Sequence, residues 1–185
     1  MRLLLILIAS WFAAAACHAE LPTIEAIERQ PDHVQAWQSR ENYLEPKWGG
    51  RLEDVIALAE LGHRTVSPGE GRGMMVEVLE IGLDCNCSGL LNHPGIDWEA
   101  VRASMDDVLQ RYPDEINAQR CLLIACKRAD KALAQHLVPW VKAAPSPFLT
   151  DGNVGMFEQR RAWTQGRKAS FGVFDAATGR TRIVQ

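Results

Sequence analysis

The sequence predicts a mainly α-helical fold of antiparallel helix pairs that ends in a short β-hairpin. Apolar residues recur at helical spacing through most of the chain, and proline and glycine concentrate between those segments. After Gly166 the spacing changes to the alternation that is typical of strands. Because 47% of the 185 residues are hydrophobic, the chain has enough apolar material for one folded domain.

The first 19 residues have the pattern of a secretory signal peptide. Arg2 provides a positive start, residues 3–16 are mostly apolar, and small residues precede an expected cleavage after Ala19. The apolar stretch is shorter than the roughly 18–20 residues that a membrane-spanning helix needs. We therefore expect residues 1–19 to be removed and residues 20–185 to form a single helical domain in the periplasm or outside the cell.

A lipoprotein signal is the alternative for this N-terminal segment. Residues 14–17, Ala-Ala-Ala-Cys, are similar to a bacterial lipobox, in which the cysteine receives the lipid. Lipidation would make Cys17 the first residue of the mature chain and anchor that chain to a membrane. No later segment has the length and apolar character of a transmembrane span.

Successive helices are predicted along the rest of the chain. Apolar residues three and four positions apart form one face of each helix, as Leu52, Val55 and Ile56 do. Aspartates offer N-caps, and Gly62 and Gly166 stand where two of the helices are expected to end. The predicted segments are 32–44, 51–61, 73–83, 97–111, a helix from Pro113 that carries 118–125, then 130–141 and 151–165.

Two extended segments near the C-terminus predict the β-hairpin. Residues 170–174 and 180–184 alternate apolar and polar side chains, and Asp175 and Gly179 supply turn-forming residues between them. We expect this hairpin to cover about residues 168–185.

Four cysteines remain once the signal peptide, with Cys17, is removed. An exported chain meets an oxidising compartment, where an even number of cysteines favours disulfides. Cys121 and Cys126 are five residues apart on one predicted helix, which separates their Cα atoms by about 8–9 Å, too far for a bridge. Since a bridge between Cys85 and Cys87 would close a strained ring, we expect at least one disulfide between that segment and the helix. The alternative, a zinc site, does not match these spacings.

Two resemblances support a helical-repeat fold. Residues 118–141 resemble one tetratricopeptide unit, with small or apolar residues at its packing positions and a turn at 129–130. Residues 46–51, Pro-Lys-Trp-Gly-Gly-Arg, resemble the Pro-x-Trp-Gly-Gly-Ser signature of an uncharacterised bacterial domain family, with Arg51 at the serine position. Residues 157–163 are similar to that family's closing helix. The resemblance implies tetratricopeptide-like helices and assigns no activity.

The tryptophan signature is also the candidate binding element. Trp48, Gly49, Gly50 and Arg51 place an aromatic ring beside glycines that let another backbone approach closely. The competing interpretation is a tight turn whose tryptophan fills the core, and we expect that one because a lone aromatic beside a turn more often packs inward.

The charge distribution and the absence of catalytic motifs disfavour two classes of function. The chain has 20 Lys+Arg against 23 Asp+Glu and a net charge of −3, without a basic run, which disfavours nucleic-acid binding. The sequence has no serine-nucleophile elbow and no zinc-protease motif, so we expect no catalytic residue, cofactor or metal. We therefore expect an exported, non-enzymatic module that binds a protein or peptide.

Two alternatives to this function stay open. His93 and Asp97 are four residues apart, and a histidine beside a carboxylate is a general-base pair of the kind that a small periplasmic hydrolase uses. The second alternative is an immunity-type protein that neutralises a secreted toxin, which is a special case of protein binding.

Overall fold

Helices follow one another along most of the chain, and a β-hairpin lies at its C-terminal end. The structure, a computed structural model, describes residues 24–31, 33–66, 71–83, 89–142, 146, 154–175 and 178–185. The α-helices are α1 (Ile24–Arg29), α2 (Val34–Leu44), α3 (Leu52–Thr65), α4 (Gly71–Leu79), α5 (Trp98–Arg111), α6 (Glu115–Arg128), α7 (Lys131–Leu137) and α8 (Val154–Thr164). Short 3-10 turns occupy Pro46–Trp48, Glu80–Leu83, Leu90–Asn92 and Val138–Trp140.

Aspartate side chains start the helices where the sequence predicts. The Asp97 carboxylate accepts hydrogen bonds from the backbone N–H groups of Glu99 (3.1 Å) and Ala100 (3.2 Å). Asp114 and Asp130 cap α6 and α7 in the same way. These bonds satisfy donors that have no partner inside a helix, so the bounds of α5 to α7 follow from local chemistry.

Antiparallel helix pairs pack around a shared core, which confirms the predicted mainly helical class. Helix α4 packs between α3 and α5, and α6 packs against α7. The fully buried side chains come from helices far apart in sequence and include Trp37, Met75, Met105, Leu122 and Phe157. The core therefore joins α2, α4, α5, α6 and α8, because each contributes an apolar face to it.

The structure corrects the role predicted for Gly62. Helix α3 continues through this glycine to Thr65, so Gly62 does not end it. A Cβ atom at Gly62 would lie 3.0 Å from Cγ of Met74 and 3.5 Å from the Trp37 ring. Gly62 therefore allows α3 to lie close to α4 and to the buried tryptophan of α2.

The C-terminal hairpin is confirmed and packs on α8. Its antiparallel strands are β1 (Phe171–Asp175) and β2 (Arg180–Val184), and Phe171 pairs with Val184. The Phe171 ring meets Trp163 of α8 edge to face, with 5.2 Å between the ring centroids. This contact fixes the hairpin against the helices through a buried aromatic pair.

The signal peptide and the lipidation alternative concern residues 1–19, which lie outside the described part of the chain. Among the residues that the structure does describe, no helix combines the length and apolar character required to cross a bilayer.

Candidate functional site

Residues 45–50, here the Trp48 turn, form a tight backbone turn between α2 and α3. The Glu45 carbonyl accepts hydrogen bonds from the backbone N–H groups of Trp48 (2.9 Å) and Gly50 (3.2 Å). Gly49 has a φ of +89°, in the left-handed region that a residue with a side chain rarely adopts. The turn therefore has a defined geometry that depends on its sequence.

Gly50 is required for a different reason. A Cβ atom at this position would lie 2.0 Å from the backbone oxygen of Leu44, far inside van der Waals contact. The second glycine of the signature therefore permits the chain to pass directly over the end of α2.

The structure overturns the expectation that Trp48 fills the core. The Trp48 side chain is 68% exposed, whereas Trp37, eleven residues earlier, is completely buried. The turn points its tryptophan outward, and the tryptophan in the core is Trp37 of α2. Tyr43, near the end of α2, is also 53% exposed, and the Arg40 guanidinium lies 5.9 Å from the centre of its ring. Exposed aromatic side chains on a fixed backbone are typical of protein-binding surfaces.

Arg51 completes the sequence-predicted binding set. Its Nε lies 3.4 Å from Oε2 of Glu53, and both side chains are largely exposed, so this ion pair is a surface contact of little energetic weight. Trp48 is therefore the residue of this set with the largest apolar surface available to a partner.

Four glutamates converge beside the Trp48 turn, and we call them the glutamate cluster: Glu41, Glu45, Glu77 and Glu80. Glu45 is buried, and its Oε2 lies 2.6 Å from Nζ of Lys47 within the turn. Carboxylates of this kind are stable inside a protein only when cations or hydrogen-bond donors accompany them.

Arg120 supplies the second cation. This arginine of α6 forms ion pairs with Glu77 of α4 and, at 3.0 Å, with Oε2 of Glu80. Its Nη1 also donates a hydrogen bond to Oδ1 of Asn117 at 2.9 Å. Because the Arg120 side chain is only 11% exposed, these charge contacts are shielded from water and link α4 to α6.

Glu41 is the member of the cluster without a cation. It is 6% exposed and, within the described residues, forms no hydrogen bond or ion pair. Burial, followed by repulsion from Glu80, Glu45 and Glu77, raises the pKa of Glu41 to about 9, and the charge of Lys47 only partly opposes that rise. Glu41 is therefore protonated at neutral pH.

The glutamate cluster was not predicted from the sequence, although one local feature of the sequence indicates it. Arg120 stands within a stretch of α6, residues 118–126, that is otherwise mostly apolar and is buried throughout. A charged residue on a buried helix face requires partners of opposite charge. That pattern predicts the need for carboxylates near Arg120, but it does not identify Glu77 and Glu80.

The structure does not bring His93 and Asp97 together. Nδ1 of His93 accepts a hydrogen bond from the backbone N–H of Gly95 (3.1 Å), and its Nε2 lies 3.6 Å from Oε1 of Glu53. Asp97 is occupied in capping α5. The hydrolase hypothesis thus loses the pairing on which it was based.

A different histidine meets a serine in the core. Nδ1 of His63 lies 3.3 Å from Oγ of Ser104, which joins α3 to α5. Ser104 is completely buried and also contacts Sδ of Met75 at 3.7 Å. A serine closed off from solvent cannot reach a substrate, so this pair satisfies buried polar groups instead.

A cavity of about 760 Å³ is lined by Lys131 of α7, by α8, by residues 166–170 and by Gln185, and its lining is basic. Nζ of Lys131 lies 5.2 Å from the centre of the Trp163 ring, and the Arg167 guanidinium donates hydrogen bonds to Oε1 of Gln165 at 2.7 and 3.0 Å. Two of the three cations in the lining, Lys131 and Arg167, thus already have partners within the chain, which makes the cavity a weaker candidate than the Trp48 turn.

Cys121 and Cys126 are buried free thiols, so the structure does not show the predicted disulfide. Burial raises the pKa of both thiols to about 12, which keeps them protonated and unreactive while they stay inside the core. Cys85 and Cys87 lie outside the described residues. The bridge between the two segments therefore stays a prediction.

The residues that flank Cys85 and Cys87 indicate which thiol the bridge would use. Nζ of Lys127 donates a hydrogen bond to the Leu83 carbonyl, and Arg128 donates one to the Leu91 carbonyl at 3.1 Å. Both flanks thus lie near the C-terminal end of α6, next along the axis to Cys126, whereas Cys121 lies about 9 Å from Lys127 along the axis.

We expect peptide mapping of the non-reduced protein, purified from an oxidising compartment, to find Cys126 in the bridge. Cys126→Ser should abolish the bridge, because the remaining helix thiol lies too far along α6, and Cys121→Ser should retain it. A bridge that persists in Cys126→Ser would contradict this assignment.

Comparisons with known protein families, curated proteins and solved structures found no match to this chain. Within the described ranges, no group of three or more histidine, cysteine, aspartate or glutamate side chains is arranged to hold a metal ion. The cations that accompany the glutamate cluster within the described residues are Lys47 and Arg120.

Proposed function

We propose that this chain is an exported, non-enzymatic, helical-repeat-like protein that binds another protein or a peptide through the Trp48 turn. The observation that carries the proposal is the 68% exposure of Trp48 on a turn whose conformation is set by its two glycines. A large aromatic ring has few rotatable bonds, so on a turn with a defined backbone it loses little conformational freedom on binding, which favours affinity. Tryptophan is also among the residues that contribute most to protein interfaces.

Export is the second part of the proposal. It is supported by the signal pattern of residues 1–19, with soluble release after Ala19 and lipidation at Cys17 as the two forms of the mature chain. The intact mass of the exported protein distinguishes these forms, and an unprocessed cytoplasmic chain would contradict both.

The Trp48→Ala variant tests the binding proposal. Because the ring is exposed, we expect the free energy of unfolding to change by less than about 0.5 kcal/mol. Loss of an interface anchor should weaken binding to the protein's partner by about 2 kcal/mol, or about 30-fold. Partner capture by the mature protein, followed by titration and thermal melting, measures both quantities.

The matched control is Ile183→Ala in β2, since Ile183 is 64% exposed and lies on the hairpin. This variant should bind the partner as the parent protein does. Equal partner binding by Trp48→Ala and the parent would refute the proposed function, as would a Trp48→Ala protein that binds less only because it unfolds.

A further inference from the structure

Three of the four carboxyl groups in the glutamate cluster form ion pairs within the described part of the chain, and the fourth does not. Lys47 pairs with Glu45, and Arg120 pairs with both Glu77 and Glu80. Among the described residues, Glu41 forms no ion pair, and the other three glutamates repel its ionised form. A buried carboxyl group without a cation or a hydrogen-bond donor is costly to ionise, so Glu41 is the position in the cluster where an added cation would be stabilising.

The Glu41 carboxyl group lies next to the Trp48 turn. Glu41 lies in the last turn of α2, and Glu45 follows directly after that helix as its C-cap, at the start of the Trp48 turn. Lys47 connects the cluster to the surface, because its Nζ contacts the buried Glu45 while its side chain is 37% exposed. Trp48 follows directly and presents its ring to solvent.

We propose that the partner of the Trp48 turn supplies an arginine or lysine side chain that pairs with Glu41 in the glutamate cluster. This inference rests on the proposed function and names the chemistry of the partner: a basic protein or peptide segment. Trp48 adds a ring face on which the same cation, or its aliphatic stem, packs.

A cationic side chain fits this position better than a metal ion. A metal ion needs several free carboxylate oxygens at once, but Glu45, Glu77 and Glu80 already pair with Lys47 or Arg120, and within the described residues no group of carboxylates is arranged to hold a metal ion. A guanidinium or ammonium group also supplies hydrogen-bond donors, which the Glu41 carboxyl lacks within the described residues.

Binding of the cation should depend on pH in a defined direction. Glu41 is protonated in the free protein at neutral pH because burial and its neighbours raise its pKa to about 9. The groups that act on it are Glu45 and Lys47 of the turn, Glu77 and Glu80 of α4 and the following 3-10 turn, and Arg120 of α6, which pairs with those two. Pairing with a cation requires the ionised form, so affinity should rise with pH up to about tenfold per pH unit.

The test uses the mature protein and a short acetylated and amidated peptide with two arginines, whose charge does not titrate in this range. The control peptide carries citrulline at both positions. Titration followed by nuclear magnetic resonance should show at least about tenfold tighter binding of the arginine peptide at pH 7.5. Lowering the pH to 6.5 should weaken that binding by up to about tenfold.

Variants of the protein assign the effect to Glu41. Glu41→Gln resembles the protonated carboxyl and should keep the fold, yet it should lose at least about tenfold in arginine-peptide affinity and all of the pH dependence. Glu60→Gln, which changes a half-buried carboxylate on α3 that pairs with Arg64, is the control and should behave as the parent does.

Equal binding of the two peptides, no binding of the arginine peptide at about 1 mM, or unchanged binding by Glu41→Gln would each overturn this inference. The proposed function is tested separately with the captured partner. If Trp48→Ala loses that partner while Glu41→Gln retains it, the Trp48 turn binds without the glutamate cluster. If Trp48→Ala also retains the partner, the proposed function itself fails.

Discussion

Gly50→Ala should lower the free energy of unfolding by about 3 kcal/mol or more, because the added Cβ has no space. It would lie 2.0 Å from the Leu44 oxygen, and both atoms belong to the backbone or are fixed to it. Relief of that overlap requires the chain to move away from the end of α2. The hydrogen bond from the Gly50 N–H to the Glu45 carbonyl would then break. Chemical denaturation of both proteins measures the loss.

Gly49→Ala is the matched control for this prediction. Gly49 has a positive φ, but no atom lies within 4 Å of the position that its Cβ would take. Its substitution should therefore cost only the strain of the left-handed conformation, about 1–2 kcal/mol. If Gly50→Ala were as stable as Gly49→Ala or more so, the described geometry of the Trp48 turn would be wrong.

The parent protein should become less stable as the pH rises because Glu41 must ionise. Glu41→Gln should lack this contribution to the pH dependence. Folding raises the pKa of Glu41 from 4.5 to about 9, so between these values the folded state holds a proton that the unfolded state has released. The contribution of Glu41 to stability is therefore fully present below pH 4.5 and is lost progressively as the pH rises toward 9. The loss is at most about 1.4 kcal/mol per pH unit.

Denaturation of the parent and of Glu41→Gln at pH 5, 6.5 and 8 measures this effect. The advantage of the variant over the parent should be small at pH 5 and should increase with each step in pH. Glu60→Gln is the matched control, because it also replaces a glutamate by glutamine but in the i,i+4 surface pair with Arg64, outside the glutamate cluster. A Glu41→Gln advantage that does not change with pH would contradict the raised pKa of Glu41.

Features that depend on neighbouring residues were predictable from the sequence. Asp97, Asp114 and Asp130 cap their helices because the capping bond spans only two or three residues. The hairpin was predictable because strand alternation and the turn residues Asp175 and Gly179 are local as well. The first strand, Phe171–Asp175, is shifted by one residue from the predicted 170–174, and the second covers the predicted 180–184.

Features that depend on packing between distant segments were missed or wrong. The glycines of the Trp48 turn indicate a turn, but they do not reveal that Trp37 fills the core and leaves Trp48 outside. The glutamate cluster joins residues 41–45 to 77–80 and Arg120, and no single window of sequence contains them all. Gly62 satisfied the rule for a helix end, yet its role comes from Met74 on the neighbouring helix.

Hydroxyl-radical footprinting of the tryptophans, in the free protein and with its captured partner, tests the central claim most directly. Trp48 is 68% exposed, Trp140 is 40% exposed and Trp37 is buried, so the free protein should be oxidised fastest at Trp48 and hardly at Trp37. With the partner bound, oxidation of Trp48 should fall strongly while that of Trp140 stays the same. Oxidation of Trp48 at the rate of Trp37 in the free protein, or at an unchanged rate in the complex, would contradict the claim that Trp48 is the binding element.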